Sequence, residues 1–311
     1  MQEYLKLENI VKAYDGKMAV DELTLAVPKG SIYGIIGPNG AGKTTTIRMI
    51  MDIIAPDSGR ILINGEKVSR NFKNRVGYLP EERGLYKKMT LKEVVSFLAE
   101  IKGFGRRQAV EKLDGWLDKM SLLKYRDRKV EELSKGMQQK LQFVTTLIHE
   151  PELIILDELF SGLDPLNIEL IKNIMLDEKR RGTTILFSTH VMEQAEKLCD
   201  YICLINSGKK VLDGKLSDIQ AEFGANSIQV DMEGDGAFAR DIPGVEKLVE
   251  FNNYIELKLT PEADSQAILK QIAERVRIRR FEITGASLYD IFIAVAGVKP
   301  EEVKAEGGGN E

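Results

Sequence analysis

Gly37-Pro38-Asn39-Gly40-Ala41-Gly42-Lys43-Thr44 stands between an apolar run, Ile32 to Ile36, and a helical pattern running from Thr45 to Ile53. A glycine-rich loop leading from a strand into a helix is the context that a phosphate-binding loop of the Walker A kind requires. The glycines let backbone N–H groups point inward around phosphates, and the start of the helix adds positive potential. Gly37, Asn39, Gly40, Ala41, Gly42, Lys43, Thr44 and Thr45 are therefore the expected nucleotide-binding residues. Among them, Lys43 is expected to reach the β- and γ-phosphates, and the Thr44 hydroxyl to bind Mg²⁺.

Outward from the loop, Leu153 to Leu156 and Thr184 to Phe187 repeat the short bounded apolar run, with helical patterns between. This order reads as a parallel sheet in an α/β domain. The run at Leu153 ends in Asp157-Glu158, where a central strand emerges at the ligand-binding edge of such a sheet. Asp157 is expected to hold Mg²⁺ through water. Glu158 is expected to orient and partly deprotonate the attacking water, a role that needs a carboxylate beside the γ-phosphate. An acidic pair after a strand also suits a helix cap or a solvated turn. Its coupling to the loop at Lys43 favours the metal-and-water reading, and the residues by themselves describe a Mg-ATPase.

Strands give way to helices between Arg106 and His149, where Leu113, Trp116, Leu117 and Met120 recur at helical spacing. This stripe reads as a packing face, within an insertion placed at about 82–149. After Gly224 the pattern changes to candidate strands at Ser227 to Met232, Val245 to Phe251, Tyr254 to Leu259 and Ile278 to Thr284. Helical patterns fall at Glu262 to Val276 and Leu288 to Ala296, and Asn252-Asn253 suits a two-residue hairpin turn. The expectation is a domain over 1–220, a small α+β domain over 221–298, open to a split βαβ order, and a disordered charged tail over 299–311.

Composition narrows the function classes. A chain of 311 residues with 43% apolar residues is large enough for two cores, and a net charge of −4 argues against an electrostatic nucleic-acid binder. No nucleic-acid partner is expected. The start, MQEYLKLENI, lacks a basic leader and an apolar run, and no segment approaches the roughly 18 apolar residues of a membrane span, so a cytoplasmic location is expected. Cys199 and Cys203 lack a second Cys or His pair and read as reduced structural thiols. Arg275, Arg277, Arg279 and Arg280 alternate with apolar residues near Glu274 and Glu282, as on a half-solvated strand.

Leu133-Ser134-Lys135-Gly136-Met137-Gln138-Gln139-Lys140 precedes the acidic strand. In that order the sequence resembles the ABC ATPase family, over about residues 5–215, because this stretch matches the family's signature sequence. The resemblance implies a RecA-like P-loop core with a helical insertion, ATP and Mg²⁺ as ligands, and a head-to-tail dimer, expected to be a homodimer. In such a dimer Ser134 and Gly136 meet the γ-phosphate held by the other subunit; Ser134 on its own equally reads as a helix cap. Tyr14 matches the aromatic on which adenine stacks, with a half-buried tyrosine as the plainer reading. Ser161-Gly162-Leu163-Asp164 matches the loop that crosses between subunits, and His190 the histidine that contacts the γ-phosphate. His149, before Pro151, reads as a core or surface residue.

One landmark departs from the family. Glu81, after Arg75 to Pro80, stands where a glutamine is usual, and it is expected to serve as a metal-sensing link in place of the amide. Met137, Leu159 and Phe160 also differ from the common pattern without removing a catalytic group. Leu79 to Tyr86 and the trailing α+β domain resemble the bacterial export branch that includes sodium-extrusion and antibiotic-efflux ATPases. That implies an exporter subunit at the cytoplasmic face of the membrane, with integral permease subunits docking near Arg83 to Tyr86. The competing readings are a soluble ABC factor acting on ribosomes or DNA, and a nucleotide-dependent scaffold. A single P-loop without long heptads disfavours the first, and intact Lys43, Asp157, Glu158 and His190 the second.

Overall fold

The computed structural model describes residues 2–67, 70–82, 84–223, 227–251, 254–260 and 262–296. They form two compact units, with the break between Asp213 and Gly214. Up to the break, the strands and helices are β1 (Glu3–Tyr14), β2 (Lys17–Pro28), β3 (Ile32–Ile36), α1 (Lys43–Ile50), β4 (Ser58–Ile63), β5 (Glu66–Lys67), α2 (Arg70–Asn74) and β6 (Val76–Leu79). There follow α3 (Leu91–Ile101), α4 (Arg106–Lys119), α5 (Lys135–Leu147), β7 (Leu153–Asp157), α6 (Pro165–Arg180), β8 (Thr184–Thr189), α7 (Met192–Leu198), β9 (Tyr201–Asn206) and β10 (Lys209–Lys215), whose last two residues lie past the break.

Every residue of β3, β7 and β8 is buried, which is why these strands read as unbroken apolar runs rather than alternating ones. They lie side by side in a six-stranded sheet of order β10-β9-β3-β8-β7-β6. The ladders from β9 through β6 are parallel, with Ile36 opposite Thr189 and Asp157 opposite Ser188. The glycine loop, the acidic pair and His190 therefore leave three neighbouring strands at the same, carboxyl-terminal edge.

A second, antiparallel sheet of order β2-β1-β4-β5 was not foreseen. In β1 the alternation Leu5, Leu7 slips by one residue to Ile10, because Asn9 takes a left-handed φ of 47° at a bulge. Leu7, Leu25, Ile35, Ile47, Ile155 and Leu186 belong to one buried cluster that joins both sheets to α1. Burying each such side chain contributes about 1.5–3 kcal/mol relative to leaving it in water.

In the helical insertion, Thr90 opens α3 with a reciprocal capping box to Glu93. Leu113, Leu117 and Met120 are fully buried, whereas Trp116 sits at the edge of the stripe with the Lys119 ammonium 5.1 Å from its ring centre. His149 lies just past α5 rather than on it; its Nε2 donates to the Val76 carbonyl at 3.2 Å and its Nδ1 is buried without a partner. Burial, reinforced by the nearby Lys102 ammonium, lowers His149 to about 4. Between pH 6.5 and 4 the unfolded chain thus takes up a proton that the folded chain refuses, so stability falls as pH falls through that window. His149→Gln, which keeps a donor for Val76, is expected to lose about 2 kcal/mol less than the parent between pH 7 and pH 5 in urea unfolding. Equal losses in the two proteins would show that His149 does not carry this dependence.

The second unit comprises α8 (Leu216–Glu222), β11 (Ser227–Glu233), β12 (Val245–Glu250), β13 (Ile255–Leu259), α9 (Ser265–Ala273), β14 (Arg277–Thr284) and α10 (Leu288–Ala296). Its sheet is antiparallel with order β12-β13-β11-β14, the strand order of a split βαβ fold. One crossover differs: between β11 and β12 stands a 3₁₀ turn, Ala237–Asp241, in place of a helix. Gly234, Gly236, Pro243 and Gly244 crowd that connection and leave no stretch for an amphipathic helix. Ala239 and Ile242 from the turn still fill the core beside Ile228, Leu257 and Ile272. Around β14, Arg275 lies over the Phe238 ring at 5.1 Å, Arg279 pairs with Glu233 at 3.2 Å, and Arg280 pairs with Glu282. The Asn252-Asn253 turn and the 299–311 tail lie outside the described residues.

Candidate functional site

The loop between β3 and α1 is built around two glycines that tolerate no side chain. A Cβ at Gly37 would stand 2.1 Å from the Ile205 carbonyl oxygen, and one at Gly42, where φ is +106°, would stand 2.3 Å from that of Ala19. Gly42 is also the residue before α1 and supplies no side-chain cap, so the first N–H groups of the helix remain for an anion. Lys43 is 5% exposed and folds back over the loop, donating to the carbonyls of Gly37 (2.9 Å) and Pro38 (3.1 Å). Its Nζ also forms an ion pair with Glu158 Oε1 at 3.1 Å, without hydrogen-bond alignment at that oxygen.

Asp157 ends β7 almost wholly buried. Thr44 Oγ1 donates to its Oδ1 at 3.3 Å and Ser188 Oγ at 2.5 Å, whereas Oδ2 is buried with no hydrogen-bond partner. Burial raises the carboxyl's pKa and the two hydroxyl donors pull it back. Glu158 adopts φ 49°, a left-handed conformation that costs a residue with a side chain about 1–2 kcal/mol. Its N–H donates to Ser188 Oγ at 3.1 Å, and its Oε2 lies 2.9 Å from His190 Nδ1. One carboxylate thus stands between Lys43 and His190, at the edge where β3, β7 and β8 end together.

Glu81 follows β6 and lines a cavity of about 390 Å³ shared with Thr44, Arg48, Ile53, Tyr78 and Asp157. Burial, then the carboxylates of Asp157, Glu81 and Glu82, push the Tyr78 phenol up to about 12, so it remains a donor in that cavity. Ile53 in that lining and Tyr86, five residues after Glu81, are exposed, and Tyr86 packs edge-on against Phe97 of α3 at 5.3 Å. Arg83 lies outside the described residues.

The remaining expected site residues lie apart from this cluster. Ser134 caps α5 by accepting the Met137 N–H at 3.3 Å, and Gly136 stands in the first turn with open space around it. Tyr14 closes β1, 47% exposed, with the Lys12 ammonium 5.7 Å from its ring centre. Sequence reasoning missed the residues that brace the expected ones. Asp57 accepts from Lys12 Nζ (2.7 Å) and from the Ala13 N–H (2.8 Å), fixing the strand end that carries Tyr14. Gln139 donates to the Leu159 carbonyl at 2.5 Å and so ties α5 to the segment after Glu158. Ser188 bridges both acids; a serine inside an apolar strand is the only signal it left.

Comparison with known proteins decides the family. The family model for ABC transporters matches residues 20–161, and that for the C-terminal domain of DrrA1-3-like ATP-binding proteins matches residues 214–296. The uncharacterized ABC transporter ATP-binding protein YhaQ of Bacillus subtilis is 42% identical over 293 residues, covering 94% of this chain and 98% of that protein. The chain belongs to the ABC transporter ATP-binding proteins. The Nod factor export ATP-binding protein I of Burkholderia orbicola is 32% identical over 94% of this chain and 97% of its own length. A solved structure of the ATP binding subunit of an ABC transporter superposes with a TM-score of 0.67 at 33% identity, covering 71% of this chain and 93% of that one. As an ABC ATPase, this subunit binds and hydrolyses ATP. No helix among the described residues is long and apolar enough to cross a membrane.

Proposed function

We propose that this ABC ATPase hydrolyses Mg-ATP in a head-to-tail homodimer and drives export through separate permease subunits at the cytoplasmic face of the membrane. The observation that carries the hydrolytic part is the convergence of Lys43, Glu158 and His190 beside the unpartnered Oδ2 of Asp157. Lys43 and backbone N–H groups of the loop and the start of α1, through Thr44 and Thr45, bind the phosphates, with Gly37, Asn39, Gly40, Ala41 and Gly42 shaping the turn. Glu158 acts on the attacking water, and His190 contacts the γ-phosphate while steadying that carboxylate. Tyr14 stacks on adenine, and Ser134 and Gly136 serve the partner's nucleotide.

The oxygen donors Thr44, Asp157 and Glu81 suit Mg²⁺, which takes few protein ligands and keeps phosphate oxygens and water around it. The metal would neutralise phosphate charge during transfer. Replacing the anionic Glu81 by a neutral amide is expected to raise the half-saturating Mg²⁺ concentration for ATP turnover several-fold. If Glu81→Gln left both the Mg²⁺ dependence and the turnover unchanged, the charge at this position would have no part in metal binding.

Export is supported by the likeness to Nod factor export ATP-binding protein I along nearly the whole chain and by the DrrA1-3-like match of the second unit. The Glu81 cavity, with exposed Ile53 beside it and Tyr86 a few residues on, is where the permease docks in this reading. Copurification of the subunit with a membrane permease, followed by ATP-driven movement of cargo in inside-out vesicles, tests it. Cargo leaving rather than entering those vesicles would reverse the direction, and failure to copurify any permease would remove the coupling.

A further inference from the structure

We infer that Ser188 is a positioning residue for hydrolysis: its hydroxyl pins the Asp157-Glu158 turn so that the Glu158 carboxylate faces the phosphate loop. The inference rests on the assignment of Glu158 to the attacking water. Ser188 is fully buried on β8, directly opposite Asp157 in the parallel ladder. A hydroxyl has one proton to give. The Glu158 N–H can only donate, so Ser188 Oγ accepts from it at 3.1 Å and spends its own proton on Asp157 Oδ1 at 2.5 Å. The two bonds fix the Glu158 N–H and the carboxyl of the residue just before it, Asp157.

What they hold is a conformation the chain does not choose by itself. Glu158 has φ 49°, where a side chain is unfavourable, and that conformation accompanies a carboxylate placed between Lys43 Nζ at 3.1 Å and His190 Nδ1 at 2.9 Å. Without the Ser188 hydroxyl the Glu158 N–H loses its acceptor. The turn is then free to relax toward the common right-handed region, carrying the carboxylate away from the loop. Lys43, Thr44 and the glycine loop make no hydrogen bond to Ser188 and keep their grip on the phosphates.

The test uses the full chain with ATP and Mg²⁺. Ser188→Ala is expected to lower kcat about tenfold to a hundredfold, the scale of a misplaced catalytic group. Its affinity for ATP without Mg²⁺, read by calorimetry, should stay within about threefold of the parent. In a Glu158→Gln background, where the group it acts through is gone, Ser188→Ala should change single-turnover hydrolysis by less than about threefold. Ser188→Cys, nearly the same size with a weaker donor, reports the same loss should the alanine chain not fold. Turnover within about twofold of the parent, an affinity loss that matches the kcat loss, or full additivity with Glu158→Gln each overturns the proposal. Normal hydrolysis by Glu158→Gln alone would instead remove the assignment of Glu158, so the two failures are distinguishable.

Discussion

Glu158→Gln is expected to cut steady-state ATP hydrolysis by about a hundredfold to a thousandfold or more, and to accumulate ATP-bound dimers. The amide keeps the size and the left-handed backbone of the carboxylate but cannot take a proton from water. A second effect follows from the ion pair: Lys43 and Glu158 are 5% and 9% exposed and 3.1 Å apart. In the free chain Glu158 and an incoming γ-phosphate compete for the same ammonium. Once the carboxylate is removed the phosphate has no rival, so ATP binding should tighten while turnover falls. Size-exclusion chromatography with radiolabelled ATP, beside a phosphate-release assay, reads both. Hydrolysis at the parental rate would exclude Glu158 as the base.

Lys43→Ala is expected to weaken ATP binding by one to two orders of magnitude, since hydrogen bonds to charged groups contribute about 1.5–3 kcal/mol each. The loss has two parts. The ammonium no longer meets the phosphates, and the loop loses the tether that closes it onto the Gly37 and Pro38 carbonyls. Glu158 meanwhile keeps the His190 ring beside it but loses its ammonium partner while 9% exposed, which costs the free chain stability as well. Calorimetric titration of ATP and the thermal midpoint of the ligand-free chain separate the two. An affinity within about threefold of the parent would show that Lys43 does not carry phosphate binding.

The parts of the fold that were legible were those whose pattern is unbroken. β3, β7 and β8 are buried on both faces, so their sequences are continuous apolar runs with a chemical group at one end of each. The β1–β2 sheet was illegible for the opposite reason. Its alternation is interrupted at Asn9 and Glu22, which take φ 47° and 48°, and each interruption exchanges the faces of the strand. In the second unit the strand order could be anticipated, but glycines between β11 and β12 replaced a helix by a turn, and composition alone does not say which side chains will still reach the core. At the site, residues that bear charge and follow strands were visible as motifs. Ser188, Asp57 and Gln139 were not, because their roles depend on partners distant in the chain, 30, 44 and 20 residues away. No local spacing records such pairings.

The position of β6 has a mechanical consequence. β3, β7 and β8 each have a ladder on both sides, so the glycine loop, the acidic pair and His190 leave from strands held by two rows of hydrogen bonds. Among the described residues β6 is the outermost strand and has β7 as its one neighbour, and the segment bearing Glu81 leaves directly from its end. Displacing Glu81 strains one row of hydrogen bonds, whereas displacing Asp157 strains two. Of the proposed metal ligands, Glu81 is therefore the compliant one, and in that reading a push from outside would move it before it disturbed Asp157 and Glu158.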